Sequence, residues 1–280
     1  MDRHHLENHL AEVVHEHRFT IAVVFPIVGA IVLLASAHAI VPAPVAFNPL
    51  LIIVGVGVMR LPIIAGMLPL IDRRAAIGIL VLAGYTWAIE IVGVTTGYPY
   101  GSFEYGISLG PMVHGVPLAL PLFFVPLVLN AYLFALLVAP VLVRRRWLRV
   151  PVVVLFVVTI DLILDPGAVA IGFWSFDAGG AYYDVPWSNY VGWLVSGTVA
   201  VLVVEFAFDA DDFRDRLDHC PFMLDDLVSF VLLWGAINVL YGNVIPVLFT
   251  LGFLGGLLWT GRLDFLASQS TGGTSDHLRG

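Results

Sequence analysis

The sequence predicts an all-α fold, a polytopic membrane helix bundle with about eight transmembrane helices and both termini in the cytoplasm. Of the 280 residues, 59% are hydrophobic and only 12% are charged, whereas a soluble domain is about half apolar and a quarter charged. Apolar runs of about 20 residues, the length that crosses the hydrocarbon core, follow one another from residue 19 almost to the C-terminus. The arginines fall in alternate connecting segments. Together these observations predict a single membrane domain.

Eight apolar segments are long enough, or nearly so, to cross a bilayer. They are 19–40, 49–70, 75–96, 116–141, 150–171, 189–207, 226–241 and 244–261. The last two are short and are separated only by Gly242 and Asn243, which predicts a tight hairpin of two helices. Seven spans with one re-entrant segment is the alternative to this count.

Arginine placement sets the orientation of the spans. The chain has no lysine, and twelve of its 13 arginines lie before the first span, after the last one or in every second loop. The other loops, 41–48, 97–115 and 172–188, contain none. Because cytoplasmic loops carry the excess of Lys and Arg, both ends are predicted to be cytoplasmic. Arg60, in the middle of the second span, is the exception.

The chain therefore divides into three parts. These are a polar cytoplasmic N-terminal tail (1–18), one transmembrane domain (19–262) and a flexible C-terminal tail (263–280). The N-terminal tail lacks the short apolar core of a cleavable signal peptide. The single cysteine, Cys220, excludes an intramolecular disulfide and any multi-cysteine metal site. A net charge of −8 without lysine suggests a proteome adapted to high salt, where net charge governs solubility. We expect a multi-pass protein of the cell membrane, surrounded by lipid and with no nucleic-acid partner.

Two of the predicted outer loops differ in composition from the inner ones. Residues 97–115 and 172–189 are rich in Gly, Pro, Tyr and Trp and poor in charge. Aromatic residues with a polar tip are common at membrane interfaces, which is one interpretation. The other is that two long loops of such similar composition form the rim or lid of a site, because binding residues concentrate in loops held by a rigid scaffold.

Four ionisable residues lie well inside the predicted spans: Arg60, Glu90, Asp161 and Asp165. An intramembrane charge costs about 2.5–3.5 kcal/mol on the insertion scale and therefore suggests function. Asp161 and Asp165, four residues apart, share one helix face, and the topology places both acids and Glu90 beneath the two aromatic loops. Pro166 disfavours helical geometry at Asp165 and releases a carbonyl four residues back, which predicts a helix break there.

A purely structural interpretation of these groups is also open. Arg60 could neutralise one of the three acids in a buried ion pair that serves only helix packing. Thr159, Asn189 and the tyrosines could satisfy the remaining polar atoms by hydrogen bonds between helices. Glu205, near the inner end of the sixth span, is expected to be solvated.

The chemistry that suits buried carboxylic acids in an apolar, aromatic pocket is protonation of an alkene. The sequence contains no Walker loop, dinucleotide fingerprint or HExxH zinc motif, and DLILD (161–165) is the only DxxxD pair inside its predicted spans, so we expect neither cofactor nor metal. Burial keeps a carboxyl group protonated and able to act as a general acid. Aromatic faces can stabilise the tertiary cation that results, and an ionised carboxylate could direct water onto it.

Two long blocks also resemble a known family. EIVGVTTGYPYGSFEYGISLGPMVHGVP (90–117) and DLILDPGAVAIGFWSFDAGGAYYDVPWSNYVGW (161–193) are similar to the membrane carotenoid hydratases, above all to the haloarchaeal members, and the match runs over most of the chain. The resemblance implies cofactor-free addition of water to terminal isoprenoid double bonds of a long-chain acyclic carotenoid, here the last step to bacterioruberin. It also implies other carotenoid-pathway enzymes as candidate partners. Asp184 stands where the family usually has glycine.

The resemblance carries no catalytic assignment, so the site is predicted from the residues themselves. Glu90, Asp161 and Asp165 form the acid–base set, with Asp165 or Asp161 as proton donor. The candidate substrate-binding residues are Arg60, Trp87, Tyr98, Tyr100, Tyr105, His114, Trp174, Tyr182, Tyr183, Asn189 and Trp193. A carotenoid end-group cyclase or isomerase would need the same protonation, and a proton-coupled transporter could also use intramembrane acids.

Overall fold

The computed structural model describes residues 3–264 and is a bundle of helices with four short strands. The helices are α1 (Arg3–Glu16), α2 (Phe25–Ala37), α3 (Pro49–Met67), α4 (Arg73–Thr96), α5 (Pro121–Val138), α6 (Arg146–Ala170), α7 (Trp187–Ala207), α8 (Ala210–His219), α9 (Asp225–Leu240) and α10 (Val244–Trp259). The strands are β1 (Phe103–Tyr105), β2 (Met112–Val113), β3 (Val116–Pro117) and β4 (Trp174–Phe176). The predicted all-α membrane bundle is thereby confirmed.

Each predicted span coincides with a helix. Six helical segments are long and apolar enough to cross a membrane: Thr20–Ala37, Pro49–Leu70, Arg73–Thr96, Pro121–Val138, Arg146–Ala170 and Trp187–Ala207. The first of these begins with a π-helical turn. The last two predicted spans correspond to α9 and α10, which have 16 residues each and form a hairpin around a turn at Gly242, as predicted. At about 1.5 Å per residue, each is roughly 24 Å long and shorter than a full crossing.

Capping residues in the sequence set where two of the long helices begin. The Asn48 side chain accepts a hydrogen bond from the backbone N–H of Leu50 at 3.0 Å, at the start of α3. The Asp72 side chain accepts one from the N–H of Ala75 at 2.7 Å, at the start of α4. Both occupy the position where a short polar side chain satisfies a helix's unpaired N–H groups.

The beginning and end of the membrane domain meet at one face. Arg18 donates hydrogen bonds to Asp225, which starts α9, and to Asp264, just after α10, at 2.8 and 2.9 Å. The segment before Arg18, predicted as a polar tail, forms helix α1. Its Arg3 donates to the carbonyl oxygens of Leu68 and Ile71. Both ends of the described chain therefore meet at one end of the bundle. Most of the predicted C-terminal tail lies outside the described residues.

The inner connection between α7 and α9 is more ordered than the sequence suggested. Its acidic stretch forms the amphipathic helix α8, which buries Phe213 and Leu217. Glu205 was expected to be solvated, and this prediction was wrong. Glu205 is buried because Arg149 holds both its carboxylate oxygens, at 2.5 and 2.8 Å, and the Tyr132 hydroxyl donates to it at 2.6 Å.

Two of the prolines inside membrane helices, Pro126 and Pro166, free a backbone carbonyl that accepts a hydrogen bond from a side chain of another segment, and neither breaks its helix. The predicted break at Asp165 is wrong, because α6 continues through Pro166 to residue 170. Pro166 cannot donate to the Leu162 carbonyl, and the Tyr182 hydroxyl donates to it instead, at 3.1 Å. In α5, Pro126 leaves the Leu122 carbonyl free in the same way, and Arg60 Nε donates to it at 3.3 Å. Side chains from elsewhere thus complete both helices.

Replacing Tyr182 by Phe should therefore destabilise the protein without altering its chemistry. The substitution leaves the Leu162 carbonyl without its donor inside the bundle, which costs about 1–3 kcal/mol. Unfolding in mixed micelles would measure the loss, with Tyr98→Phe, at a side chain that is 66% exposed, as control. Equal stability of the two variants would contradict the assignment.

The two aromatic outer loops pair to form a roof over the bundle. Strands β1 and β4 are antiparallel, with Phe103 opposite Phe176 and Tyr105 opposite Trp174. Since successive side chains on a strand point to opposite faces, these four rings share one face, and the exposed Glu104 lies on the other. Strands β2 and β3 form a separate hairpin. The interpretation of the loops as the lid of a site fits this pairing.

Candidate active site

A cavity of about 150 Å³ lies beneath the roof, between α2, α3, α4, α5, α6, α7 and α9. The charged and amide side chains that line the cavity are Arg60, Glu90, Asp165 and Asn189. Its aromatic lining consists of Tyr100, Phe103, Tyr105, Phe123, Phe124, Phe173, Trp174, Phe176, Trp193, Phe230 and Trp234. The rest is aliphatic. The cavity is thus a mostly apolar container with a few fixed polar groups, as is typical of a small-molecule site.

On one side of the cavity, one amide joins two carboxylates. Asn189 Nδ2 donates to Asp165 Oδ2 and, at 3.1 Å, to Asp161 Oδ2. Asp165 and Asn189 line the cavity, whereas Asp161 is fully buried behind them. The second oxygen of Asp161 has no hydrogen-bond partner among the described residues. The spacing of four residues on α6 creates this pair, and Asn189 at the start of α7 fixes it.

A third carboxylate faces the cavity from α4. The Tyr105 hydroxyl, from the roof, donates to Glu90 Oε1 at 2.5 Å. Burial raises the pKa of the Tyr105 hydroxyl well above its ordinary value, and the nearby Glu90 raises it further, so this hydroxyl remains a donor. The roof therefore supplies, through the Tyr105 hydroxyl, the hydrogen bond that orients Glu90.

The aromatic wall depends on two close backbone approaches. Tyr100 lies between Gly93 of α4 and Gly192 of α7, where an added Cβ would come within 2.9 and 2.5 Å of its ring. Trp193 stacks on Phe124 with ring centroids 5.2 Å apart. Only glycine leaves space for the Tyr100 ring at positions 93 and 192. This explains why Gly93 and Gly192 stand in the sequence blocks 90–117 and 161–193.

The floor of the cavity contains an ion pair. Arg60 Nη1 donates to Asp226 Oδ1 at 2.5 Å, and Asn130 Nδ2 donates to Asp226 Oδ2. We had considered that Arg60 could neutralise one of the three predicted acids, but its partner is Asp226. This acid sits in the first turn of α9, where a helix terminus favours negative charge, and the bundle brings that turn against α3.

Five of the predicted substrate-binding residues lie outside the cavity lining. Trp87 donates to the carbonyl of Pro117 at 3.3 Å, and Tyr182 donates to α6 as described. The Tyr183 hydroxyl accepts a hydrogen bond from the N–H of Ile245 in the first turn of α10, a group with no partner inside its own helix. Tyr98 and His114 are exposed, and His114 forms the β2–β3 turn with φ +49°. Three of the five, Trp87, Tyr182 and Tyr183, therefore form hydrogen bonds with backbone groups outside the cavity.

Asp226 and Asn130, which form the floor of the cavity with Arg60, were not among the residues predicted from the sequence. The signal for Asp226 was weak, because it opens a predicted span next to Asp225 and looks like part of the solvated inner loop. Asn130 is a lone amide in the fourth span. Asp184, which stands at a family glycine, has φ +64°, a conformation that glycine adopts at no steric cost.

The arrangement can move protons next to an apolar ligand. A pair of carboxyl groups on one side can hold and deliver a proton. A separate carboxylate on α4 can accept one. Aromatic rings line the cavity beside these carboxyl groups and can stabilise positive charge. This combination suits acid–base addition to, or elimination from, a carbon–carbon double bond.

Comparison with known proteins identifies relatives. A family model described as carotenoid biosynthesis protein matches residues 47–257, which include both sequence blocks and every cavity helix except α2. The chain is 55% identical over 256 residues to a protein of Haloarcula japonica named bisanhydrobacterioruberin hydratase, covering 91% of this chain and 87% of the relative. No solved structure matches the chain.

Proposed function

The chain belongs to the carotenoid biosynthesis protein family, and from that membership we propose that it adds water to terminal isoprenoid double bonds of an acyclic carotenoid. The observation that carries this proposal is the cavity, which is lined by carboxyl groups from α4 and α6 and by aromatic side chains. The name of the Haloarcula japonica relative supports the further proposal that the reaction converts bisanhydrobacterioruberin to bacterioruberin in the cell membrane.

In the first step, Asp165 protonates the alkene. Two adjacent carboxylates in an apolar site are costly to ionise together, so Asp161 and Asp165 hold one proton between them. Asp165 lines the cavity and delivers it: its O–H bond breaks, and a C–H bond forms at the less substituted alkene carbon. Asp161 stays behind it as a positioning residue. The tertiary cation that results lies against the faces of Trp174 and Trp193, which stabilise it.

In the second step, Glu90 directs water onto the cation. The water oxygen forms the new C–O bond while one of its protons passes to the Glu90 carboxylate, which Tyr105 holds in place. The sum is one alkene plus one water giving one tertiary alcohol. Transfer of that proton from Glu90 back to the aspartate pair, through solvent, completes the cycle. These side chains and water suffice for the proposed chemistry.

A cyclase or isomerase would form the same cation and then lose a proton. The Glu90 carboxylate could serve either outcome, by taking a proton from water or from the cation itself, so the feature that favours hydration is the 55% identity to a protein named a hydratase. A transporter would require acids along a path across the membrane, whereas the three carboxyl groups cluster in the outer half of the bundle.

Pigment analysis tests the proposal directly. A strain lacking this gene should accumulate the unhydrated carotenoid, and complementation should increase the pigment mass by one water for each processed end. Purified protein given the same carotenoid in liposomes should reproduce that increase. A product of unchanged mass with altered absorption would indicate cyclisation or isomerisation instead.

A further inference from the structure

The floor of the cavity holds a fixed cation that the proposed hydration steps do not use. The Arg60 side chain is buried, with 7% of its area exposed, and is held by Asp226 through Nη1 and by the Leu122 carbonyl through Nε. Asn130 in turn holds the other oxygen of Asp226. A guanidinium fixed at two of its three nitrogen atoms is rigid, so its remaining donors have a defined direction.

Those remaining donors belong to Nη2. Within residues 3–264, no hydrogen bond from Arg60 Nη2 to the protein is found, and Arg60 lines the cavity. A charged donor that has no partner in a mostly apolar cavity gains free energy when a ligand supplies an acceptor. The Nη2 group is therefore suited to an acceptor that a ligand brings.

The charges around the floor define the kind of acceptor. Arg60 and Asp226 neutralise each other, and the same cavity also holds the carboxyl groups of Glu90 and Asp165. An anionic ligand would be repelled by this set, whereas a neutral oxygen would not. The surrounding wall is aromatic and aliphatic, which suits a hydrocarbon carrying a single hydroxyl group.

The size of the cavity places that hydroxyl close to the reacting bond. Arg60 is the twelfth residue of α3, and Asp165 lies five residues before the end of α6. At about 1.5 Å per residue, their Cα atoms lie roughly 16 Å and 8 Å below the outer ends of their helices. Both line one cavity of about 150 Å³, which is large enough for an end group but not for a whole carotenoid. The hydroxyl and the alkene must therefore belong to the same end group.

We propose that Arg60 is a specificity residue, and that its Nη2 group donates a hydrogen bond to a hydroxyl group already present on the carotenoid end that is to be hydrated. This inference rests on the proposed function and deepens it by assigning one side chain of the cavity to recognition of the substrate end group. Asp226 and Asn130 are positioning residues for the guanidinium.

The test compares two acyclic carotenoids that share the same terminal alkene. One carries a tertiary hydroxyl in the end group, and the other carries hydrogen in its place. Wild-type protein in liposomes should prefer the alcohol by about 10- to 100-fold in kcat/KM, mainly through KM, as expected for a hydrogen bond to a charged group. In the variant Arg60→Met with Asp226→Leu, the kcat/KM values for the two compounds should become about equal. Removing both partners avoids an unpaired buried charge.

Two further variants separate recognition from folding. Arg149→Met with Glu205→Leu removes a buried ion pair away from the cavity and should keep the preference. Arg60→Lys keeps a cation for Asp226 but lacks the second donor arm, and should fold while losing the preference. Quenching of the cavity tryptophans by each carotenoid measures binding without turnover and should show the same order.

The outcomes distinguish the two proposals. Hydration of both compounds by wild-type protein without preference would contradict the role of Arg60 only. A preference for the alcohol that survives in both Arg60 variants would also contradict the role of Arg60 only. If wild-type protein hydrated neither compound, the proposed function would be wrong, and this inference with it.

Discussion

Replacing Asp165 by Asn should reduce hydration by about 10²–10⁴-fold, the range in which a positioned general acid contributes. The amide has nearly the shape of the acid but cannot deliver the proton. Because Asp165 is held by Asn189 and is not part of an ion pair within the described residues, no buried cation loses its partner. The anhydro-carotenoid should accumulate in cells, as mass analysis of extracted pigment would show.

The matched control for this experiment is Glu104→Gln. Glu104 is an exposed carboxylate in the roof, next to Tyr105 but on the opposite face of the strand, so its loss should leave hydration unchanged. Fully hydrated pigment from the Asp165→Asn variant would contradict the assignment of the donor. If the Asp165→Asn variant kept normal activity and the Asp161→Asn variant lost it, Asp161 would be the proton donor.

Replacing Glu90 by Gln should separate the two halves of the reaction. The aspartate pair can still protonate the alkene, but no carboxylate takes the proton from the attacking water, so net hydration should fall by about 10²-fold or more. The cation can instead return its proton. In D2O, the recovered substrate should therefore gain deuterium at the less substituted alkene carbon while little alcohol forms.

Deuterium uptake distinguishes Glu90 from Asp165, because Asp165→Asn should lose exchange as well as hydration. Tyr105→Phe should have a weaker effect of the same kind as Glu90→Gln, since it removes only the hydrogen bond at Glu90 Oε1. If Glu90→Gln abolished exchange too, Glu90 would be required for protonation, and the two carboxyl systems would not have separate roles.

Much of the fold could be predicted from the sequence because membrane helices obey simple constraints. Length and hydropathy locate every span, and arginine placement orients them. The pairing of Asp161 with Asp165 follows from helical spacing, and their nearness to Glu90 from the direction of α4 and α6. These are local or one-dimensional properties, which a sequence carries in full.

The contacts that the sequence did not predict are all between distant segments. Arg60 and Asp226 are 166 residues apart, and nothing in either neighbourhood specifies the partner. Glu205 looks like an interface acid until Arg149 is placed beside it. Pro166 does free the Leu162 carbonyl, as the sequence predicts. The helix does not break there because the Tyr182 hydroxyl donates a hydrogen bond to that carbonyl. Local rules describe what a residue needs, and only packing decides what provides it.

The dimensions of the site also affect the order of events on a symmetric substrate. A cavity that holds one end group, closed below by Arg60 and Asp226 and above by the paired strands, admits the two ends of a long polyene only one at a time. After the first water is added, the molecule must leave, reverse and enter again, with its polyene extending into the lipid meanwhile. An enzyme with the proposed activity would therefore be distributive, and half-converted pigment should mix freely in the bilayer before any molecule is finished.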